Sequence, residues 1–232
     1  RATAPQVSTD AGSDHLGAGP GKPGDAWVGR VRLVGDPESL EFGRVRAIVM
    51  VDGVRLEATG TDDVGRELGQ LLTGETLHVE GRLGELSPYR SWLWTRHVAG
   101  TLELTRGQSP GPAPRVFAGA NRFRRLLARG ASSLDRQDRS LFVGLVIGDR
   151  RGQSEHLVDD FRGAGLTHLL AVSGQNVAFV LAVIAPFATR LRPHPQLFVL
   201  LVVLGCFVVV TRAEPSVLRA TCMAGGASIG AL

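Results

Sequence analysis

The stretch Leu166-Thr-His-Leu-Leu-Ala-Val-Ser-Gly-Gln-Asn-Val177 places His168, Ser173, Gln175 and Asn176 inside an otherwise apolar segment. Polar groups in an apolar medium are costly without partners, so these side chains must face other helices or a wet cavity. Two roles fit: a polar lining for a solute path, or hydrogen bonding between helices worth roughly 1 kcal/mol or less per contact. Nucleophilic catalysis fits poorly. Ser173 lies in Ala171-Val-Ser-Gly-Gln175, which lacks the glycines of a G-x-S-x-G elbow, and no strand precedes it. His168 is five residues away on the same segment, a poor placement for a base. Metal binding is equally weak. The histidines (His15, His78, His97, His156, His168, His194) form no H-x-x-x-H or H-x-H pair, and Asp159-Asp160 reads as an exposed helix face. No catalytic residue, metal or cofactor is expected.

A second group is basic. Val116, Phe123, Leu126 and Leu127 can share one helical face, while Arg122, Arg124, Arg125 and Arg129 dominate the rest. A basic amphipathic helix suits a membrane interface or the attraction of phosphates beside it. A soluble surface helix with a solvated arginine face has the same pattern.

The elements that position these groups follow from how charge and hydropathy divide the 232 residues. A mean hydropathy of +0.08 would suit a soluble protein. The average conceals two halves. Residues 25–106 carry ten arginines against thirteen acids, a net −3, whereas 107–165 net +4 and 166–232 net +3. Positive charge in the middle and at the edges of the apolar half suits a membrane surface or a nearby polyanion. Cys206 and Cys222, both in apolar segments, give neither metal-ligand spacing nor a disulfide framework.

Residues 1–24, rich in Gly, Pro, Ser and Thr, are expected to be a flexible linker. They lack the apolar core of a signal peptide. The chain opens without methionine and closes within an apolar run, so a piece of something longer is expected. Residues 25–106 are expected to form a small domain. Trp27–Val34 alternates, and Phe42–Val51 is rich in β-branched residues. Asp52-Gly53 offers a hairpin turn into Val54–Thr59. Val64–Leu72 has helical spacing, Thr76–Leu83 alternates again, and Trp92–Leu104 is a last strand. Three strands, a helix and two strands is the order of an OB-like five-stranded barrel; an SH3-like barrel or a meander shares much of it. Trp27, Phe42 and at least one of Trp92 and Trp94 are expected in its core. Tyr89, Arg44, Arg46, Arg90 and Arg96 could meet single-stranded nucleic acid, although the acidic balance opposes a phosphate-tracking groove.

A linker over 107–115 is expected to lead into helices from 116 to 232. Leu134–Ile147 ends at Gly148, and Ser154 offers an N-cap for Glu155–Arg162. Leu166–Ala188 is long enough to cross a bilayer core of roughly 30 Å at about 1.5 Å per residue. Leu197–Val210 is shorter, and Val217–Leu232 begins a third apolar segment. The fold class expected is therefore α+β and multidomain: an OB-like barrel followed by amphipathic and transmembrane helices. Arg190 and Arg192 favour a cytoplasmic loop, which leaves the barrel outside.

Phe161-Arg-Gly-Ala-Gly-Leu-Thr-His-Leu-Leu-Ala-Val-Ser-Gly174 resembles the signature of the ComEC family of competence proteins. Upstream, Leu145-Val-Ile-Gly-Asp-Arg150 resembles the family's Gly-Asp turn. Downstream, Pro215-Ser-Val-Leu-Arg-Ala220 with Met223 resembles its Pro-Ser-x-x-Arg-Ala helix. Tyr89-Arg90 and Val98-Ala-Gly-Thr-Leu102 are similar to the end of its extracytoplasmic domain. Asn176 departs from the histidine of many members.

The resemblance implies a bacterial inner-membrane channel that carries one DNA strand inward during natural transformation. It makes His168, Ser173, Gln175, Asn176 and Arg219 candidates for the polar path, and Arg122, Arg124, Arg125 and Arg129 candidates for attracting phosphates. Implied partners are single-stranded DNA, membrane lipids and other competence proteins, with homo-oligomer formation left open. Many members carry a C-terminal metallo-β-lactamase-like domain that these residues do not include, so no nuclease activity is carried over. A small-molecule or peptide transporter, or a structural membrane anchor for the barrel, stands as the alternative.

Overall fold

The computed structural model describes residues 21–87, 93, 95–149, 151–153, 155–166 and 174–230. The alternating segments become strands. β1 (Ala26–Leu33) turns Val31 and Leu33 into the core and leaves Val28, Arg30 and Arg32 outside. A two-residue β2 (Glu38–Ser39) precedes β3 (Val45–Val51) and β4 (Val54–Gly60). Asp52 and Gly53 both have positive φ (47° and 83°), the backbone that a tight two-residue hairpin turn demands. Helix α1 (Asp62–Gln70) leads to β5 (Thr76–Gly84), and β6 is Val98–Gly111.

Pairing closes the sheet. β1 runs antiparallel to β5, β5 to β6, β4 to β3, and β3 back to β1, whereas β6 and β4 pair in parallel. The result is a closed five-stranded OB-like barrel, with α1 between its third and fourth strands and β2 added at β3. Its core holds Val31, Val49, Leu56, Leu68, Leu77 and Leu102, and half-buried Trp27 packs against it.

Two sequence expectations change. Phe42, expected in the core, is 94% exposed, because Glu41–Gly43 forms a short turn before β3 starts and Phe42 has φ +59°. The linker expected at 107–115 is shorter. β6 continues through Gly107 and Gln108 to Gly111, which pair with Val79, His78 and Thr76. Tyr89, Arg90, Trp92 and Trp94 lie outside the described residues, as do Ser154 and residues 1–20.

Helices follow: α2 (Arg115–Gly130), α3 (Arg136–Ile147), α4 (Glu155–Gly163), α5 (Gly174–Ala188), α6 (Pro193–Val210) and α7 (Pro215–Gly230). Asp135 caps α3 by accepting from Asp138 N at 2.7 Å, and Gly148, at φ +71°, ends it in the left-handed conformation. Helices α5, α6 and α7 pack around Val177, Leu204 and Val217.

The apolar run at 197–210 gains length because the helix begins at Pro193, a position where proline is tolerated. With 18 residues, α6 is the one helix among the described residues long and apolar enough to cross a membrane. Only 11% of it is buried, whereas the core helix of a soluble domain would be mostly covered. Within the expected first span, the described helix is the apolar but shorter α5, residues 167–173 lying outside the description.

Candidate functional site

The charged centre of the molecule lies where the barrel meets the helices, and Asp36 is its hub. Asp36 sits in the loop after β1. Its Oδ1 accepts from Thr73 N (3.1 Å), Thr73 Oγ1 (2.8 Å) and Arg124 Nη1 (3.1 Å). Its Oδ2 accepts from Arg212 Nη1 at 2.7 Å and from Arg124 Nη2. Arg124 Nη2 also meets Asp149 Oδ2 at 3.0 Å. Arg151 forks onto Asp149 (Nε to Oδ1 2.8 Å, Nη2 to Oδ2 2.6 Å) and donates to Leu71 O at 3.1 Å. Arg212, itself at φ +62°, closes the ring by donating to Gly148 O.

The five members come from four segments of the chain. The β1–β2 loop gives Asp36, α2 gives Arg124, the turn after Gly148 gives Asp149 and Arg151, and the α6–α7 loop gives Arg212. Around them, Asn121 Nδ2 donates to Thr73 O at 3.1 Å, and Arg125 pairs with Glu75 at 2.8 and 2.9 Å.

Burial and charge oppose each other here. Burial alone would push the Asp36 carboxyl up; the hydrogen bond from Arg124 and the charges of Arg124, Arg212 and Arg151 outweigh it and hold the group well below the usual carboxylate range. Burial likewise works against the Asp149 carboxylate, yet the hydrogen bond and charge of Arg151, with Arg124 behind it, leave it lowered. Arg151 is raised: desolvation opposes its charge, but Asp149 and Asp36 prevail. Lowered carboxyls and a raised guanidinium both favour the charged forms, so the centre can clamp barrel to helices by ion pairing.

Beside it opens a groove of about 800 Å³ between the 34–41 segment and the ends of α3, α4 and α6. Asp36, Glu38, Glu41, Asp159 and Glu214 line it against Arg96, Arg151, Arg162 and Arg212. Acids outnumber bases, so the groove offers no positive surplus for a phosphate backbone.

The expected arginine face divides. Arg124 is only 2% exposed and neutralised by two aspartates, so it is not a surface group. Arg125 is engaged by Glu75, while Arg122 and Arg129 remain exposed and Arg129 Nε donates to Arg125 O. The physical reason is an inversion of α2: its polar side, with Asn121 and Arg124, is buried, and Val116, Phe123 and Leu126 face outward.

Of the path candidates, Asn176 donates to Leu145 O at 2.6 Å and tethers the start of α5 to the last turn of α3. Gln175 is exposed beside it, and Arg219 is exposed on the second turn of α7. His168 and Ser173 lie outside the described residues. Among the described residues no cluster of His, Cys, Asp and Glu could hold a metal. Sequence reasoning missed Asp36, Arg151 and Arg212. The quoted Gly-Asp turn at 148–149 was the available signal, but nothing local links it to Asp36.

A family model described as "Competence protein" matches residues 145–232, which include Asp149, Arg151 and Arg212 but neither Asp36 nor Arg124. ComE operon protein 3 of Bacillus subtilis (strain 168) is 28% identical over 147 residues, covering 62% of this chain and 19% of that protein. The chain therefore spans about a fifth of the length of the curated relative it matches. Among solved structures, the SSB domain of a Synechococcus sp. protein is 17% identical and covers 40% of this chain and 100% of that one, at a TM-score of 0.27. An aspartyl tRNA synthetase from Entamoeba histolytica is 10% identical and covers 80% of this chain and 41% of that one, at a TM-score of 0.30. By sequence, the chain is a distant match to the competence-protein family.

Proposed function

We propose that this chain forms part of a membrane path that carries single-stranded DNA across the cytoplasmic membrane during natural transformation. The observation that carries the reading is the competence-family match over residues 145–232, where the apolar helices and the Gly148-Asp149 turn lie. The role is transport, and no catalytic step is assigned to these residues. The DNA contacts belong to polar positions of the apolar half, with His168, Ser173, Gln175 and Arg219 as candidates. The barrel nets −3 and its groove lacks a basic surplus. Asn176 joins them as the residue that fixes where α5 begins.

Orientation has independent support. Arg212, at one end of α6, bonds to Asp36 of the barrel, while Arg190 and Arg192 lie at the other end. Arginines in a short loop favour the cytoplasm, which supports a reading with the barrel outside. A cysteine at position 110 should react with an impermeant reagent on intact cells; reaction only after lysis would reverse the topology.

An arginine on an apolar helix without a hydrogen bond or ion pair among the described residues is a functional candidate in a membrane bundle. Arg219→Ala should impair transformation while the protein still reaches the membrane. Wild-type uptake would remove Arg219. Full tolerance of Ser173→Ala with Gln175→Leu would favour the structural-anchor alternative.

A further inference from the structure

We infer that α2 is a membrane-surface helix, whose outward side lies on the anionic lipid headgroups around the end of α6. The inference rests on the membrane reading of α6 and not on DNA transport. Three observations meet here. First, α2 exposes apolar side chains: Val116 is 64% exposed, and Phe123 and Leu126 are each 51% exposed. These positions fall i, i+7 and i+10 along the helix, which gathers them into one stripe. Arg115, Arg122 and Arg129, spaced seven apart, make a basic stripe beside it, and all three are exposed.

Second, the opposite side of α2 is already occupied. Asn121, Arg124 and Arg125 fasten it to Thr73, Asp36 and Glu75 of the barrel, so the helix cannot roll to bury its apolar residues there. Third, the depth of the helix is fixed. Arg124 and Arg212 bind the same oxygen of Asp36, and Arg212 lies two residues beyond Val210, the last residue of the span. The middle of α2 is therefore level with the boundary between hydrocarbon and water.

A helix held at that depth, with an apolar stripe next to a basic one, has the chemistry of an interfacial helix: side chains such as Phe123 enter the acyl boundary and arginines meet phosphates. Lipid headgroups and DNA share phosphate chemistry, but the apolar stripe selects the lipid. A DNA backbone offers nothing for Phe123 and Leu126 to enter.

The test is a nitroxide scan of the protein in nanodiscs, in a background with Cys206→Ala and Cys222→Ala. Labels at 123 and 126 should collide with oxygen in preference to a water-soluble nickel chelate, and labels at 122 and 129 should show the reverse. A label at Phe198 of α6, 68% exposed, is the control for the span itself. If 198 is lipid-exposed while 123 and 126 are open to the chelate, or shielded from both reagents by protein, the inference falls and the span stands. If 198 is open to the chelate, both fall. Oxygen preference at 123 should be at least twofold stronger in phosphatidylglycerol discs than in phosphatidylcholine discs. Arg122→Gln with Arg129→Gln should remove that difference, and its persistence would overturn the role of the arginines. A single-stranded oligonucleotide that shields 122 and 129 in neutral discs would assign them to DNA instead.

Discussion

Asp36 occupies 5% of the surface it could expose, yet it serves three arginines on three separate segments. Removing one partner from a buried ionic cluster leaves the others charged in a poor solvent, at a cost of about 3–5 kcal/mol. Asp36→Ala should lower stability on that scale, read as thermal unfolding in detergent, because Arg124 remains buried with only Asp149 facing it. Arg125→Ala removes a pair whose arginine is 48% exposed, and screening should keep its effect below about 1 kcal/mol.

Acid separates the two further. Asp36 and Asp149 have lowered folded values, so the unfolded chain binds the extra protons. Their contribution is complete above the unfolded carboxyl range near 3.9 and is lost as pH falls below it. Asp36→Asn should flatten the acid side of a stability–pH curve. An unchanged slope would remove Asp36 as its source. None of this was legible locally, since Asp36 meets Arg124 across 88 positions and Arg212 across 176.

At the scale of elements, periodicity succeeded where one side of an element is buried by its own domain. β1 and β5 place their residues as the alternation predicts, and the Asp52-Gly53 turn has the backbone its residues favour. At α2 it could not tell which side meets protein, because an apolar stripe can face a core or a membrane. Here the barrel supplies acids and a carbonyl, so the polar side turns inward; only the assembled partner reveals that. Composition failed at 107–111, where Gly and Pro suggested a linker but β5 offers a strand to pair with.

Close backbone approach gives a contrast within the barrel. A Cβ on Gly81 would sit 2.5 Å from Glu103 O, at the irregularity between β5 and β6. Gly81→Ala should cost about 1–3 kcal/mol by forcing these strands apart. Gly69, inside α1, would place its Cβ no closer than 3.7 Å to Val45, and Gly69→Ala should stabilise by about 0.5–1 kcal/mol. Denaturation of the two variants side by side checks both.

For the whole molecule, ties from four segments to one centre mean that barrel and helices move together. Spin labels at Ser39 and Glu214, which both line the groove, should report one narrow distance distribution, broadened by Asp36→Ala. A broad distribution without the substitution would mean that the barrel swings.

The pairing of Asp36 with Arg212 also bears on biogenesis. Asp36 leaves the ribosome 176 residues before its partner, and on the membrane reading proposed above α6 must insert in one sense for Arg212 to emerge on the barrel's side. Inserted the other way, Arg212 would be stranded across the bilayer and Gly148 O would lose its donor. On that reading the ion centre would serve as a check on topology, completed only in chains whose helices thread the membrane in the sense that joins Arg212 to Asp36.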